Sequence, residues 1–397
     1  MNETNETDAI TQPSTEEASS TQAPTSYSFS INNHELSSAL RKVSGIVDHS
    51  QVIQILGFIK CDLRNKELHL MASNSEIEMH VHIPVITNTL TDGIKASFTL
   101  PCKKLLDISR SLAPDAILEV EQKSSWTVIR VGKTQFKLAS LDAETFPHME
   151  QFHVDVTLNI PQNRLLWLLR RTSFAMATQD VRFFLNGLLL KVQNQQILTV
   201  ATDGHRLALN AINDPSADQD GSFIIPKKTI QELCKHLQED DSNICLKIGK
   251  QNISFHSDTL LMYSNLIDGD YPDYSSLIPS QFGHQALVHV DELKSSLSRL
   301  IILASEKYHG GKFHFSPESL AIVTNNINQE EARDEVGIDL TGESIAIGFN
   351  LHYVIDILQV MQTEKISIGI VDTERSISFT EHESEHYSVF IVMPLSI

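Results

Sequence analysis

The chain has 397 residues, of which 41% are hydrophobic and 20% are charged, and its formal net charge is −19. Such a composition is typical of soluble globular domains, and a chain of this length suits two to four domains of roughly 100–200 residues each. No apolar run approaches the ~18 residues of a membrane-spanning helix. The four cysteines form no close pair, so neither a disulfide framework nor a zinc ribbon is predicted, and a cytoplasmic protein is expected.

The first 26 residues differ in composition from the rest of the chain. They contain no Lys, Arg or aromatic residue and are rich in Thr, Ser and Glu. A segment with so few apolar side chains cannot offset the entropy of folding, so a disordered acidic tail is predicted for residues 1–26. The tail lacks the basic start and apolar stretch of a signal peptide.

One helix pattern occurs three times at a spacing of about one domain. Apolar residues follow at +4, +7 and +11 after Pro101, Pro226 and Asn350, which are 125 and 124 residues apart. A second helix start has two leucines four residues apart, and it occurs at Leu36/Leu40, Leu165/Leu169 and Leu293/Leu297. A period this long indicates three copies of a whole domain. We predict domains at 27–154, 155–281 and 282–397.

Within each copy the hydrophobic pattern alternates between strand and helix periods. Residues 77–83 are alternately apolar and polar, with Glu78, His80 and His82 at the polar positions, which predicts a half-buried antiparallel strand. Residues 196–210 predict a hairpin with Asp203-Gly204 in its turn. The predicted helices are short and lie at 35–44, 103–112, 163–172, 227–238, 291–301 and 350–362. The fold class is therefore α+β, with two helices per copy packed on antiparallel sheets.

The positive charges are concentrated in these helices. The six predicted helices contain 13 of the 31 Lys and Arg but only 6 of the 50 Asp and Glu. Basic helices in an acidic chain predict an inner surface in every copy that faces a polyanion such as duplex DNA. The basic residues are Arg41, Lys42, Lys103, Lys104, Arg110, Arg164, Arg170, Arg171, Lys227, Lys228, Lys235, Lys294 and Arg299.

Residues 382–386 match H-E-x-x-H, the zinc-protease motif, and a zinc metalloprotease is the alternative function. That chemistry requires a helix, so that His382 and His386 share one face and Glu383 acts as the base. The flanking segments instead alternate like strands, which predicts a hairpin loop. Asp203, His205 and Arg206 also lack an accompanying nucleophile motif, so no catalytic residue, metal or cofactor is predicted.

Four segments together identify a family. Residues 200–208 resemble the signature hairpin of the bacterial β sliding clamps, the processivity subunits of DNA polymerase III. Residues 179–187, 268–274 and 392–395 resemble further motifs of that family, in the same order. The resemblance implies the DNA clamp fold, with three similar domains per subunit and two subunits head to tail. The resulting six-domain ring would encircle duplex DNA without sequence specificity, with helices lining the hole.

The resemblance also implies the partners and the sites that bind them. The polymerase III alpha subunit, the clamp loader, other polymerases and repair proteins would bind through short linear motifs, and the ring itself would perform no catalysis. The cleft for these motifs would comprise Leu185, Thr202, Gly204, His205, Arg206, Leu207, Pro272, Leu277, Ile391, Val392, Met393, Pro394 and Leu395. Ser276 and Ser396 stand where the family often has Arg.

The same resemblance implies residues for the subunit interface and for DNA. The interface would join Phe136 and Leu138 on an edge strand to Ile302 and Leu303 on a facing helix, with charge pairing from Lys133, Glu330 and Glu331. Gln135 and Arg333 replace charges that often complement one another in the family. The residues expected to contact DNA are Lys103, Arg110, Gln179, Lys227 and Lys228, and Ser50 stands where a loop Arg is usual.

Overall fold

The structure is a computed structural model, and it describes residues 26–47, 53–91 and 93–395. The predicted acidic tail, apart from Ser26, lies outside the described residues, as do Ser50 and Ser396. The chain packs into two compact units. The first comprises the described part of residues 1–40 together with residues 58–70 and 82–146, and the second comprises the described parts of residues 41–57, 71–81 and 147–397.

The helices and strands follow the same order in each third of the chain, except that the first third has one additional strand of two residues. The helices are α1 (Asn33–Val43), α2 (Cys102–Ser111), α3 (Gln162–Thr172), α4 (Lys227–His236), α5 (Val290–Leu300) and α6 (Leu351–Val360). The strands of the first third are β1 (Ser26–Asn32), β2 (Phe58–Arg64), β3 (Glu67–Ser73), β4 (Ile77–Pro84), β5 (Thr87–Asn88), β6 (Lys95–Pro101), β7 (Ile117–Lys123), β8 (Trp126–Val131) and β9 (Thr134–Ala139). Those of the second are β10 (Val156–Pro161), β11 (Gly187–Gln193), β12 (Gln196–Thr202), β13 (Arg206–Asn213), β14 (Gly221–Pro226), β15 (Asn243–Ile248), β16 (Asn252–His256) and β17 (Leu261–Asn265). Those of the last are β18 (His284–His289), β19 (Gly310–Phe315), β20 (Ser319–Asn325), β21 (Glu331–Thr341), β22 (Ile345–Asn350), β23 (Lys365–Ile370), β24 (Ile377–Glu381) and β25 (Tyr387–Val392).

The strands pair antiparallel, as the sequence predicts. In the first unit five strands follow one another in the order β5-β1-β7-β8-β9, and β2 pairs with β6. In the second unit β10, β15, β16 and β17 pair in that order, and β17 continues onto residues 77–80 of β4. Twelve other strands form one sheet in the order β14-β11-β12-β13-β25-β24-β23-β18-β21-β20-β19-β22.

Each of these helices begins at the residue after a strand, which makes the three copies visible in the structure. The strands β1, β6, β10, β14, β18 and β22 lead directly into α1 to α6. Pro101 and Pro226 hold the N-cap positions of α2 and α4, where an extended proline needs no backbone donor. Asn350 caps α6, because its Oδ1 accepts the His352 N–H at 2.9 Å.

The +4, +7 and +11 pattern has a structural explanation. Its +4 and +7 side chains are buried in all three helices, apart from the half-buried Ile108, and each buried side chain contributes about 1.5–3 kcal/mol. The +11 residues are the C-caps, which have extended backbone, and these are Leu112, Leu237 and Met361. The predicted helices 103–112, 227–238 and 350–362 therefore run one or two residues too far at their C-terminal ends.

The H-E-x-x-H segment lies in the turn between β24 and β25, which pair with each other. His382 and His386 therefore do not share a helical face, and His386 stacks edge-on against Trp167, with the ring centres 4.9 Å apart. Within residues 26–47, 53–91 and 93–395, no group of three or more His, Cys, Asp or Glu side chains is placed to hold a metal ion. The metalloprotease alternative has no support.

The expectation for residues 77–83 requires one correction. The strand forms, but Glu78 is only 3% exposed although it occupies a polar position in the pattern. Its Oε1 lies 2.7 Å from the His80 imidazole, and its Oε2 accepts the Met149 N–H at 2.7 Å. The alternation of residue types could not show that a later segment of the chain supplies a donor to this carboxylate.

In the described part of the chain, no helix is both long enough and apolar enough to cross a membrane.

Candidate binding surfaces

The turn between β12 and β13 is fixed by its own side chains. Asp203 Oδ1 accepts the backbone N–H groups of His205 and Arg206 at 2.9 and 3.1 Å. The Thr202 hydroxyl accepts the Gly204 N–H and donates to the Arg206 carbonyl. Gly204 has φ +90°, a conformation that is strained for any residue with a Cβ. The hairpin is therefore rigid and presents Gly204 and His205 to solvent.

The strand β13 joins this hairpin to the end of the chain. It pairs with β25 along its length, from Ala211 opposite Tyr387 to Arg206 opposite Val392. The Met393 N–H then donates to the His205 carbonyl at 2.9 Å, and the Leu395 N–H donates to the Gly348 carbonyl on β22 at 2.8 Å. These bonds fix the last described residues between the hairpin and β22.

An apolar cluster lies under this junction. Its buried members are Leu189, Val200, Leu207, Leu209, Ile224, Val389 and Ile391, with Tyr271, Tyr274, Leu277 and Ile278 among the partly buried side chains packed against them. Next to it lies an open cavity of about 670 Å³, lined by Leu277, Met393 and residues from two loops, 276–281 and 371–376. An apolar floor with a partly polar rim is typical of a site for a short peptide or small ligand.

The structure divides the predicted cleft residues into two groups. Leu185, Leu207, Ile391 and Val392 are at most 2% exposed, so they support the surface from below. The residues that reach the surface are Gly204, His205, Pro272, Leu277, Met393, Pro394 and Leu395. The sequence interpretation missed the cavity residues Ile278, Pro279, Gln281, Val371 and Arg375. Their loops carry no periodic pattern, and only the neighbouring motif at 268–274 marks the region.

Arg206 is held inside the protein and is not a free cation at the surface. Its guanidinium bonds Asp203 at 3.0 Å, Asp356 of α6 at 2.5 Å and the Phe174 carbonyl at 2.8 Å. The ring of Tyr353 lies 4.6 Å from the guanidinium carbon. Arg206 therefore ties the hairpin to α6, and it fixes the position of the neighbouring His205.

Arg171 is also buried, which corrects the expectation that the basic residues of every helix face a polyanion. It is 2% exposed and pairs with Glu381 at 2.7 Å. Its remaining N–H groups donate to Asn210, Ser388 and the Val360 carbonyl. Burial lowers the pKa of Arg171, and the carboxylate of Glu381 opposes that shift. All five donors of the guanidinium are satisfied, in a network that joins α3, β13, α6 and the last hairpin.

Four other helix cations are paired with carboxylates. Arg164 lies 3.4 Å from Asp214, Arg170 lies 2.6 Å from Glu239, and Lys235 lies 2.7 Å from Glu232. Arg299 pairs with Asp334. The basic charge that the helices present is therefore smaller than their composition suggests.

Lys227 and Gln179 are brought to the same place. The Lys227 ammonium donates to the carbonyls of Met176 and Ala177 and to the Thr178 hydroxyl, next to the exposed Gln179. Burial lowers the pKa of Lys227. Three oxygens of that loop therefore hold the ammonium of the half-buried Lys227. Lys103 and Arg110 are exposed, and Lys228 is half-buried.

The predicted interface residues lie on a sheet edge and a turn. Phe136 and Leu138 are on β9, the last strand of its sheet, where Phe136 is half-buried and Leu138 is 8% exposed. Ile302 and Leu303 lie in a 3₁₀ turn after α5, and Ile302 is 76% exposed. Gln135 accepts a hydrogen bond from Arg130 at 3.2 Å.

Three family models match the chain one after another. The model of the N-terminal domain of the DNA polymerase III beta subunit matches residues 27–150. The model of its central domain matches residues 159–273, and the model of its C-terminal domain matches residues 275–396.

Individual relatives extend over the same region. The beta sliding clamp of Pseudomonas putida is 34% identical over 372 residues, which are 93% of this chain and 100% of that protein. The Escherichia coli K12 beta sliding clamp is 30% identical over 369 residues, again 93% and 100%. A solved sliding clamp from Pseudomonas aeruginosa superposes with a TM-score of 0.87 at 32% identity, covering 94% of this chain and 100% of that one. One from Bacillus subtilis has a TM-score of 0.86 at 28% identity, covering 94% and 99%.

Proposed function

Because the chain belongs to the DNA polymerase III beta subunit family, the bacterial sliding clamps, we propose that it is the processivity factor of a DNA polymerase. Two copies joined head to tail form a six-domain ring around duplex DNA, and the ring tethers the polymerase to its template. The observation that carries this proposal is the match of three clamp-domain models in series. The strand-then-helix unit seen six times in the fold supports it.

Holding DNA by encirclement explains the composition of the chain. A closed ring cannot leave a circular duplex, whatever the strength of its contacts with it. The protein therefore needs no base readout and only weak, salt-dependent phosphate contacts. A net charge of −19 is compatible with this function, because only the surface of the hole faces the duplex. The acidic surface outside the hole then repels other polyanions.

We place the domains at 27–154, 155–281 and 282–397, after an acidic tail at 1–26. The second and third copies share one compact unit, and β13 of one copy pairs with β25 of the other. This continuous ladder supports the cleft at their junction as the partner site. Polymerase III alpha, the clamp loader, other polymerases and repair proteins would each insert a short linear motif there. The chain itself would be non-catalytic, acting in the cytoplasm.

Two free strand edges support the head-to-tail dimer. The strand β9 is an edge, and within the described residues the stretch 331–337 of β21 pairs only with β20, while 338–341 pairs with β18. Exposed edges invite pairing with another chain. We propose that β9 of one subunit meets the free part of β21 of the other, with Phe136 and Leu138 packing near Ile302 and Leu303.

The test of this function combines mass with topology. Sedimentation should give about 89 kDa, twice the chain mass of 44.5 kDa, and negative-stain images should show a central hole. Once loaded on a nicked circular duplex, the protein should stay bound for as long as the circle is closed, and it should leave when the DNA is linearised. Equal escape from circular and linear DNA would refute encirclement.

The interface residues lead to a prediction about oligomeric state. Replacing Ile302 and Leu303 by alanine removes roughly 2 kcal/mol of apolar burial for each side chain, or about a thousandfold in affinity per interface. We expect monomers in sedimentation at micromolar concentration that remain folded by circular dichroism, because Ile302 is 76% exposed within one chain. A matched control is Val181→Ala with Phe183→Ala, also strongly exposed, and it should remain dimeric. A dimeric Ile302/Leu303 variant would contradict the assignment.

A further inference from the structure

The basic groups that remain unpaired are unequally distributed among the three copies. Within the described residues, no ion pair forms at Arg41 and Lys42 of α1, at Lys103, Lys104 and Arg110 of α2, or at Lys228 of α4, whereas the third domain has one such helix cation, Lys294. All three arginines of α3 are paired with carboxylates. We propose that the duplex is held mainly by α1, α2 and the start of α4, and that the third domain contributes little. The inference rests on the proposed function.

The helix α2 has the geometry for this role. Lys103 and Arg110 are seven residues apart, so they lie on the same face about two turns, or roughly 10 Å, from each other. Both are exposed, as is Lys104. Asp107 lies between them on that face, which leaves α2 with a surplus of two positive charges. The two cations can therefore contact separate phosphates along one strand of a duplex.

The third domain presents the opposite balance. Its helix α5 has Asp291 and Glu292 in the first turn, against Lys294 and an Arg299 that Asp334 neutralises. Its helix α6 contains no Lys or Arg, and Asp356 there is occupied by Arg206. A phosphate approaching these two helices would meet one cation without a carboxylate partner, the half-buried Lys294, together with the carboxylates of Asp291 and Glu292 in the same turns.

An ion pair with a carboxylate reduces what a Lys or Arg can contribute to DNA affinity. An unpaired Lys or Arg that neutralises a phosphate releases a condensed counterion, and each such contact contributes about −0.9 to the slope of log K against log salt. A cation already bound to a carboxylate must first lose that partner, and the freed carboxylate then repels the DNA. Arg170 and Arg299 should therefore add much less than Lys103, Lys104 or Arg110.

Two triple variants with the same change in net charge test whether the cations of α2 contribute more to DNA binding than those of α3 and α5. The first is Lys103→Gln, Lys104→Gln and Arg110→Gln, and the control is Arg170→Gln, Lys294→Gln and Arg299→Gln. The measurement is fluorescence anisotropy with a short linear duplex over a series of salt concentrations, with the melting temperature of each variant recorded. The first triple should flatten the log–log slope by about 2–3, and the control by less than about 1.

The control is stringent, because it leaves Glu239 and Asp334 without their partners and so adds repulsion. Equal flattening by the two triples, or an unchanged slope in the first, would overturn the inference. Failure of the proposed function is seen separately, as escape of the unmodified protein from closed circular DNA, whereas the slopes are measured on linear duplexes that need no ring closure.

Discussion

Replacing Glu381 by alanine is expected to lower the free energy of unfolding by about 3–5 kcal/mol, because it leaves the buried charge of Arg171 without its counter-ion. Both side chains of this pair are at most 3% exposed. The carboxylate also accepts the Gln362 N–H, so that backbone donor loses its partner as well. Urea unfolding followed by circular dichroism measures the change directly.

The control for this prediction is an ion pair of the same type at the surface. Glu239→Ala removes the partner of Arg170, but these side chains are 71% and 54% exposed, so the loss should stay below about 1 kcal/mol. Replacing both buried partners, as Arg171→Met with Glu381→Leu, should recover much of the loss, since no unpaired charge then remains. A loss below about 1 kcal/mol for Glu381→Ala would show that water reaches Arg171.

The second large effect is expected in the cleft. Deleting residues 394–397 removes the Leu395 contact with Gly348, and Met393→Ala removes one wall of the cavity beside Leu277. Burying one Leu or Phe of a partner peptide contributes roughly 1.5–3 kcal/mol, and association costs reduce that gain, so a short motif should bind in the micromolar range. Each change should weaken binding of a polymerase or loader peptide about tenfold or more, measured by fluorescence anisotropy.

A matched control for Met393→Ala is Tyr387→Ala, because Tyr387 is a large, exposed side chain at the opposite end of β25. Its peptide affinity should equal that of the unmodified protein. Sedimentation should show that all three variants remain dimeric, since none of them changes a predicted interface residue. If truncation splits the dimer, or if peptide affinity does not change, the cleft is elsewhere.

The two predictions concern the same pair of strands, β13 and β25. The ladder between β13 and β25 carries the cleft at the Arg206 end and the Arg171 network at the Asn210 end. At one end of the ladder Arg206 bonds Asp356 of α6. At the other end Arg171 donates to the Val360 carbonyl at the C-terminal end of α6. Because both arginines fix the same pair of strands, a change at Glu381 that weakens peptide binding without unfolding the chain would reveal coupling between them.

The sequence by itself determined the repeated architecture. Apolar residues at +4 and +7 after Pro101, Pro226 and Asn350 must bury one face of a helix, and the structure places helices there. The hairpin at Asp203-Gly204 was equally predictable, because its turn bonds lie within four residues. Such signals are local, since periodicity and turn chemistry act over a few residues, so they survive without knowledge of the fold.

Only the tertiary structure decided which charged groups are exposed and which are buried in ion pairs. Arg171 and Arg110 look alike in sequence, each a basic residue in the last turn of an amphipathic helix, yet one is buried against Glu381 and the other is exposed. Their difference depends on a carboxylate 210 residues away. The same holds for Glu78, whose burial depends on a donor from Met149. Ion pairing depends on distances of a few ångströms between distant parts of the chain, and composition and spacing contain no information about those distances.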